Sequence, residues 1–199
     1  MQEQLIATDY YPEYTHFNDP WDYGIVDNFL DQNIIDQILK IGEDRSLYRF
    51  IDGRNQQDGT VANKSSIVLV EYKEILESVT NSVNKHIENL LPKPSYCVPD
   101  LVCCDPKYKY VKHRDHPNKL LSIIVYLAPE EGNGTLVWGE DDKPLEIMWK
   151  PNRAVIFENS KHGIHNYINK TNHLRYTLNI YITDNPKTSF GTKRIPKPN

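Results

Sequence analysis

Five of the seven histidines in this 199-residue chain fall at positions 113, 116, 162, 165 and 173. In KYVKHRDHPN, His113 and Asp115 stand two residues apart at the end of a predicted strand. Side chains alternate along a strand, so both project from one face. An imidazole and a carboxylate placed together chelate a divalent metal once a third ligand arrives from a distant strand. His162 or His165, in FENSKHGIHNY, can supply it. Two histidines and one carboxylate fill one face of an octahedron and leave three positions open, a donor set suited to Fe(II). Zinc can use the same set with one open position. Arg175 and Thr177, in LRYTLNIYI, are also two apart and share a face. A guanidinium fork beside a hydroxyl, deep among apolar residues, makes a site for a small carboxylate. Neither residue stays buried without a partner. The bland alternatives are polar residues at a strand end and an Arg paired with an acid on a sandwich face.

The elements that must position these residues divide into a helical front and a strand-rich back. Residues 1–24 show no clear period and read as an irregular surface arm. Asp31 looks like an N-cap for a helix carrying Ile34, Ile35, Ile38, Leu39 and Ile41, with Gly42 as its stop. Residues 43–66 are polar, contain two Asp-Gly pairs and read as loop and turn. A second helix is predicted over 72–91, with Ile75, Val79, Val83, Ile87 and Leu90 as its buried stripe and Pro92 and Pro94 ending it. His86, beside that stripe, reads as structural. After Pro94 the period becomes two, with strands predicted at 96–104, 108–114, 120–127, 135–139, 145–149, 153–158, 164–169 and 174–182. Short strands at this spacing suggest a sandwich or jelly roll, and helices ahead of them a sheet covered on one face. The fold class expected is mainly β (α+β), a double-stranded β-helix with N-terminal helices packed on one sheet. The expectation is one domain over 1–199: arm and helices over 1–94, jelly-roll core over 95–184, loose tail over 185–199.

Composition narrows the function classes. The chain is 39% hydrophobic and 25% charged with a net charge of −4, which fits neither a membrane protein nor a highly charged disordered chain. No global basic field is present to hold a nucleic-acid backbone, so nucleic acid is not an expected partner. Three cysteines, with Cys103 and Cys104 adjacent, cannot build a disulfide scaffold and read, with Cys97, as small buried apolar residues. The N-terminal segment lacks the basic start and apolar run of a signal peptide, and no apolar run is long enough to span a bilayer. A soluble protein of a reducing compartment, the cytoplasm, is expected.

From about Val102 to Ile182 the sequence resembles the Fe(II)/2-oxoglutarate-dependent dioxygenases, and especially their prolyl 4-hydroxylase-like branch. The motifs that carry the resemblance are His113-Arg114-Asp115, IIVYL at 123–127, GNGT at 132–135, Phe157, His165 and Arg175-Tyr176-Thr177. VDNFLDQNIIDQIL at 26–39 is similar to the usual entry of that branch, so the likeness spans about four-fifths of the chain. The family's distal His lies some eight residues after the Phe and ten before the Arg. His165 meets both spacings, while His162 stands five after and thirteen before; the resemblance therefore favours His165 and leaves His162 to line the pocket or support the metal shell. It further implies Fe(II) on His113, Asp115 and His165, and a 2-oxoglutarate carboxylate on Arg175 and Thr177 with a hydrogen bond from Tyr126. O2 would be a co-substrate, with ascorbate compatible as a reductant.

Charge supports this reading. Fe(II) with one Asp and two neutral His carries one positive charge, the 2-oxoglutarate dianion turns that into one negative charge, and Arg175 restores neutrality. The activity implied is hydroxylation of an organic substrate with release of succinate and CO2. A prolyl residue in a peptide is the first substrate expectation, suggested by YVKHRDHPN. Free amino acids, other protein side chains, sugars and lipids stay open, so the partner is a small molecule or a peptide, and the oligomeric state is open. Tyr108, Tyr110 and Trp138 are candidates for the substrate mouth or for plain packing. Arg114 could contact an acidic or amidic substrate. His116 reads as a loop residue and His173 as a turn residue. A zinc hydrolase using the same His2Asp site and a non-enzymatic jelly-roll binding or structural protein are the alternatives. A halogenase of this fold would lack the ligand Asp.

Overall fold

The computed structural model describes residues 14–91, 95–160 and 162–185. Among these, two helices and eleven strands form. The helices are α1 (Gln32–Glu43) and α2 (Lys73–Ile87), the latter continued by a short 3-10 turn over Glu88–Leu90. Four strands precede position 95: β1 (Tyr14–Phe17), β2 (Tyr23–Val26), β3 (Arg49–Asn55) and β4 (Val61–Val68). Seven follow: β5 (Tyr96–Cys104), β6 (Leu121–Ala128), β7 (Thr135–Trp138), β8 (Pro144–Ile147), β9 (Ala154–Glu158), β10 (His165–Tyr167) and β11 (Arg175–Thr183). An eight-stranded antiparallel sheet runs β1-β2-β9-β6-β11-β5-β4-β3, and a three-stranded sheet runs β10-β7-β8. The architecture is the expected jelly roll, mainly β with two helices. No helix among the described residues is long and apolar enough to cross a membrane.

The large sheet has two unlike faces. Leu178, Ile180 and Ile182 of β11 join Leu101, Ile67, Ile123 and Val125 in one apolar cluster with Ile35 and Ile38 of α1 and Val79 and Val83 of α2. The helices cover this face because their apolar residues recur every three or four positions and must be buried against something. The intervening residues of β11, namely Arg175, Thr177, Asn179 and Tyr181, lie on the opposite face. In register they stand beside Cys104, Val102, Asp100 and Val98 of β5. On β4, Lys64 and Ser66 continue the rows of Cys104 and Val102. This second face looks toward the small sheet and carries the site.

Several expectations are corrected. The segment 14–24 is not an irregular arm: β1 and β2 pair with each other, and β2 docks on β9. Residues 1–13 lie outside the described residues, as do Pro92, Pro94 and most of the expected tail. Residues 43–66 are not loop throughout, because β3 and β4 form a hairpin there. Of its two Asp-Gly pairs only Asp58-Gly59 turns, with Gly59 at φ 81° and Thr60 N–H donating to Asp58 Oδ1. Asp52-Gly53 is inside β3. The segment 108–114 is extended but makes only isolated bridges, at Lys109 and His113. Gly42 does not stop α1; it is buried within it, where a Cβ would come within 3.0 Å of Leu101 and Tyr48. Leu90 is exposed past the end of α2. His86 is buried and its ring lies 5.2 Å from that of Phe29, a packing role.

Candidate active site

His113 and Asp115 come from the extended segment between β5 and β6, and His165 opens β10. A two-way backbone bridge joins His113 to His165, with N–H to O distances of 3.1 and 3.0 Å. It draws the two rings together, centroid to centroid 4.3 Å. One ligand atom from each of His113, Asp115 and His165 lies within 4.8 Å of the others. Each ring is oriented by its own backbone: Nδ1 meets Val111 O at 3.2 Å for His113 and Gly163 O at 3.1 Å for His165. With Nδ1 as the N–H donor, Nε2 keeps its lone pair for a metal. Burial, and for His113 also its neighbour His165, lowers both imidazole pKa values, that of His113 to about 4. Both rings are therefore neutral at neutral pH. Asp115 is held the other way. Burial would raise its carboxyl, but Lys119, His165 and the hydrogen bonds of Lys119 and Ser122 outweigh it and hold it at about 2. Lys119 Nζ donates to one carboxylate oxygen at 2.7 Å and Ser122 Oγ to the other at 2.5 Å. Two neutral imidazoles and one ionised carboxylate are what a hard-to-borderline divalent cation binds.

Arg175 is 2% exposed. Its Nε donates to Asn133 O at 3.3 Å, and its guanidinium lies over the rings of Tyr167, Trp149 and Tyr126 at 4.2, 5.1 and 5.7 Å. Its Nη2 is buried with no hydrogen-bond partner. A buried guanidinium nitrogen without an acceptor is costly, and an anion meeting it would remove that cost. Thr177, on the same face, donates to Asn179 Oδ1 at 3.0 Å. The Tyr126 hydroxyl is engaged with Thr135, donating to Oγ1 and accepting from the backbone N–H.

The segment that holds all these groups, residues 100–183, matches the family model of the 2OG-Fe(II) oxygenase superfamily. Its members are dioxygenases that use Fe(II), 2-oxoglutarate and O2, and the side chains here suit those groups: a His-Asp-His donor set for the metal and an unsatisfied buried guanidinium for a dicarboxylate. Solved structures share the fold. A viral collagen prolyl hydroxylase from Paramecium bursaria Chlorella virus-1, in complex with 2OG, matches with a TM-score of 0.59 at 14% identity, over 81% of this chain and 94% of that one. A Pseudomonas putida prolyl-4-hydroxylase matches with a TM-score of 0.54 at 11% identity, over 81% and 91%. A Trichoplax adhaerens prolyl hydroxylase, in complex with a hypoxia inducible factor peptide fragment, gives 0.55 at 15%, over 81% and 83%. No curated protein sequence matches significantly.

The remaining candidates sort by position. His162 is half exposed with Nδ1 3.7 Å from Glu140, and it is not part of the His113–Asp115–His165 cluster. His116 caps its own turn, its Nδ1 accepting from Asn118 N–H, and His173 is exposed in the turn before β11. Tyr108 is fully buried and donates to Asp52, so it is packing. Tyr110 lies edge-on to the His113 ring at 4.6 Å. Trp138 donates to Asn166 and stacks under Lys112. Arg114 is exposed, in the same outer cleft as Trp138 and His162. Cys103 and Cys104 are buried as expected, Cys97 partly so, and all three are unpaired. Four polar residues of the inner face were not singled out from sequence: Lys64, Asp100, Lys119 and Ser122. Asp100 and Ser122 alternate with apolar residues along their strands, a pattern open to detection. Lys64 was hidden by reading its strand as loop.

Proposed function

We propose that this protein hydroxylates a C–H bond of an organic substrate, consuming 2-oxoglutarate and O2 and releasing succinate and CO2. His113, Asp115 and His165 hold Fe(II), and Arg175, with Thr177 and Tyr126 nearby, holds the distal carboxylate of 2-oxoglutarate. The observation that carries this is the Arg175 guanidinium, sealed from solvent with Nη2 unpartnered. A structural arginine or a hydrolase would have no use for it. Bound Fe(II) with 2-oxoglutarate supplies the oxidation, delivering one oxygen atom of O2 to the substrate and one to succinate.

The chain's own residues prepare the site for that chemistry. The backbone carbonyls of Val111 and Gly163 fix the imidazoles with Nε2 as the ligand atom. Lys119 and Ser122 keep Asp115 ionised and correctly turned. Arg175 would hold one carboxylate of the co-substrate by a charge-assisted pair. Tyr126, Trp149 and Tyr167 wall the guanidinium and exclude water from the pair. The direct test is anaerobic addition of Fe(II) and 2-oxoglutarate, which gives a weak visible charge-transfer band, followed by air and measurement of succinate. A protein that gives no band and forms no succinate is not a dioxygenase; hydrolysis with Zn(II) in its place would support the hydrolase, and neither activity the binding protein.

A further inference from the structure

The inner face of the large sheet carries more buried charge than metal and co-substrate use. Lys64 is 7% exposed, in the cross-strand row of Cys104 and Arg175. Among the described residues its ammonium has no hydrogen bond and no ion pair. Its contacts are ring faces, Tyr110 at 3.8 Å and Tyr167 at 5.6 Å. Tyr110 in turn touches the His113 ring, so one aromatic ring separates the ammonium from a proposed metal ligand. Ring faces offset part of an ammonium's lost hydration and supply no acceptor for its three N–H groups. Burial first, and the charges of Lys119 and Arg175 beside it, lower its pKa to about 8.

The charges on this face do not balance. Lys64, Lys119 and Arg175 are positive; Asp115 and Asp100 are the acids. Fe(II) and the 2-oxoglutarate dianion cancel each other. Lys119 is committed to Asp115 and Arg175 to the distal carboxylate. One positive charge remains in excess, and two whenever Asp100 is protonated; burial raises the Asp100 carboxyl to about 7. Asp100 does not neutralise Lys64 by direct pairing, and its Oδ1 has no partner. Buried surplus positive charge favours an anion as its partner.

We propose that Lys64 binds a carboxylate of the primary substrate, which makes that substrate a small carboxylic acid, such as a free amino acid, and not an internal prolyl residue of a peptide. Internal prolyl residues are flanked by neutral amides and would leave Lys64 unpaired. Two more orphaned atoms suit the same molecule. Ser66 Oγ and Asp100 Oδ1 are buried without partners on this face, on β4 and β5, and can receive an amino or hydroxyl group. The proposal rests on the dioxygenase reading.

The test uses the full chain loaded anaerobically with Fe(II) and 2-oxoglutarate, as wild type, Lys64→Met and Lys64→Arg. The probes are the free amino acids and three- to six-carbon organic acids, each beside its carboxamide, and a C-terminally amidated proline-rich peptide. Binding is read from the visible band and turnover from succinate after air. At least one acid should shift the band and raise succinate formation tenfold or more over its carboxamide. Lys64→Met should abolish that preference while the 2-oxoglutarate Kd stays within threefold of wild type, and Lys64→Arg should keep part of it. If Lys64→Met weakens 2-oxoglutarate tenfold or more, Lys64 belongs to the distal carboxylate and the proposal falls. It falls equally if carboxamides or the peptide match the acids, or if no acid shifts the band. The acid–carboxamide comparison needs only wild type, so a variant that fails to fold does not shelter the idea. A wild type without any 2-oxoglutarate band refutes the dioxygenase reading instead.

Discussion

Removing the Arg175 guanidinium separates the cost of building the pocket from the benefit of filling it. Arg175 gives up nearly all its water, gains one hydrogen bond at 3.3 Å and three ring contacts, and leaves Nη2 bare. A hydrogen bond contributes roughly 0.5–1.5 kcal/mol, and a desolvated cation–π contact about 2 kcal/mol. An effective burial penalty of several kcal/mol opposes them. The ligand-free protein should therefore tolerate Arg175→Met with little change in Tm. The loaded protein should not. Truncating one partner of a buried charge pair costs about 2–5 kcal/mol, which is roughly 30-fold to several thousand-fold in 2-oxoglutarate affinity. Thermal shift of the Fe(II) protein without O2 reads both effects. At a concentration about 100 times the wild-type Kd, 2-oxoglutarate should stabilise wild type by ~2.7 kcal/mol. The same concentration should stabilise Arg175→Met by no more than ~0.9 kcal/mol, given a 30-fold loss. Arg175→Lys should recover only part, since an ammonium cannot make two parallel bonds to a carboxylate. An Arg175→Met protein that keeps the full 2-oxoglutarate stabilisation would refute the assignment of this pocket to the distal carboxylate.

Three further outcomes follow from the same geometry. Ala at His113, Asp115 or His165 should abolish iron retention in a metal assay, whereas His162→Ala should retain it; the reverse pattern for the two distal histidines would displace His165 as ligand. Asp27, held at about 2 chiefly by its hydrogen bond to Arg153, ties β2 to the turn before β9; its folded pKa lies below the unfolded value of about 3.9, so its contribution is full above pH ~4 and lost as pH falls toward 2. Being one-third exposed, it should contribute about 1 kcal/mol, less than the shift alone implies; Asp27→Asn should show that deficit in urea midpoints at pH 7 but not near pH 2, and a deficit constant with pH would count against the pair. Gly134→Ala should destabilise by about 1–3 kcal/mol or more, because a Cβ there would lie 1.6 Å from the Ile147 carbonyl oxygen; an unchanged urea midpoint would contradict that close approach.

What could be read from the sequence was what depends on period and spacing. The two-residue spacing in LRYTLNIYI put Arg175 and Thr177 on one face, and the structure packs Leu178, Ile180 and Ile182 on the other. The i, i+4 recurrence of Ile75, Val79, Val83 and Ile87 located α2. What escaped depended on partners distant in the chain. β1, β2 and β3 are short or polar and become strands only because β9 and β4 supply hydrogen-bond partners. The segment holding His113 and Asp115 reads as a strand and lacks a continuous partner; isolated bridges at Lys109 and His113 hold it, the second to His165. Lys64 reads as a surface residue in a polar stretch, and its burial follows from β4 pairing with β5, which no local pattern encodes.

The two faces of β11 have a consequence for how such a protein can change. Its side chains alternate between a greasy layer shared with the helices and a polar layer on the opposite face. Substitutions at Lys64, Ser66, Asp100 or Asn179 can therefore re-tool what is recognised while the helix-facing layer stays untouched. Inserting or deleting one residue in β11 is another matter, because it would turn every side chain on one side of the change to the opposite face and bring polar groups into the greasy layer. Selection for folding alone thus polices the alignment of the inner-face side chains, and leaves their identities free to drift.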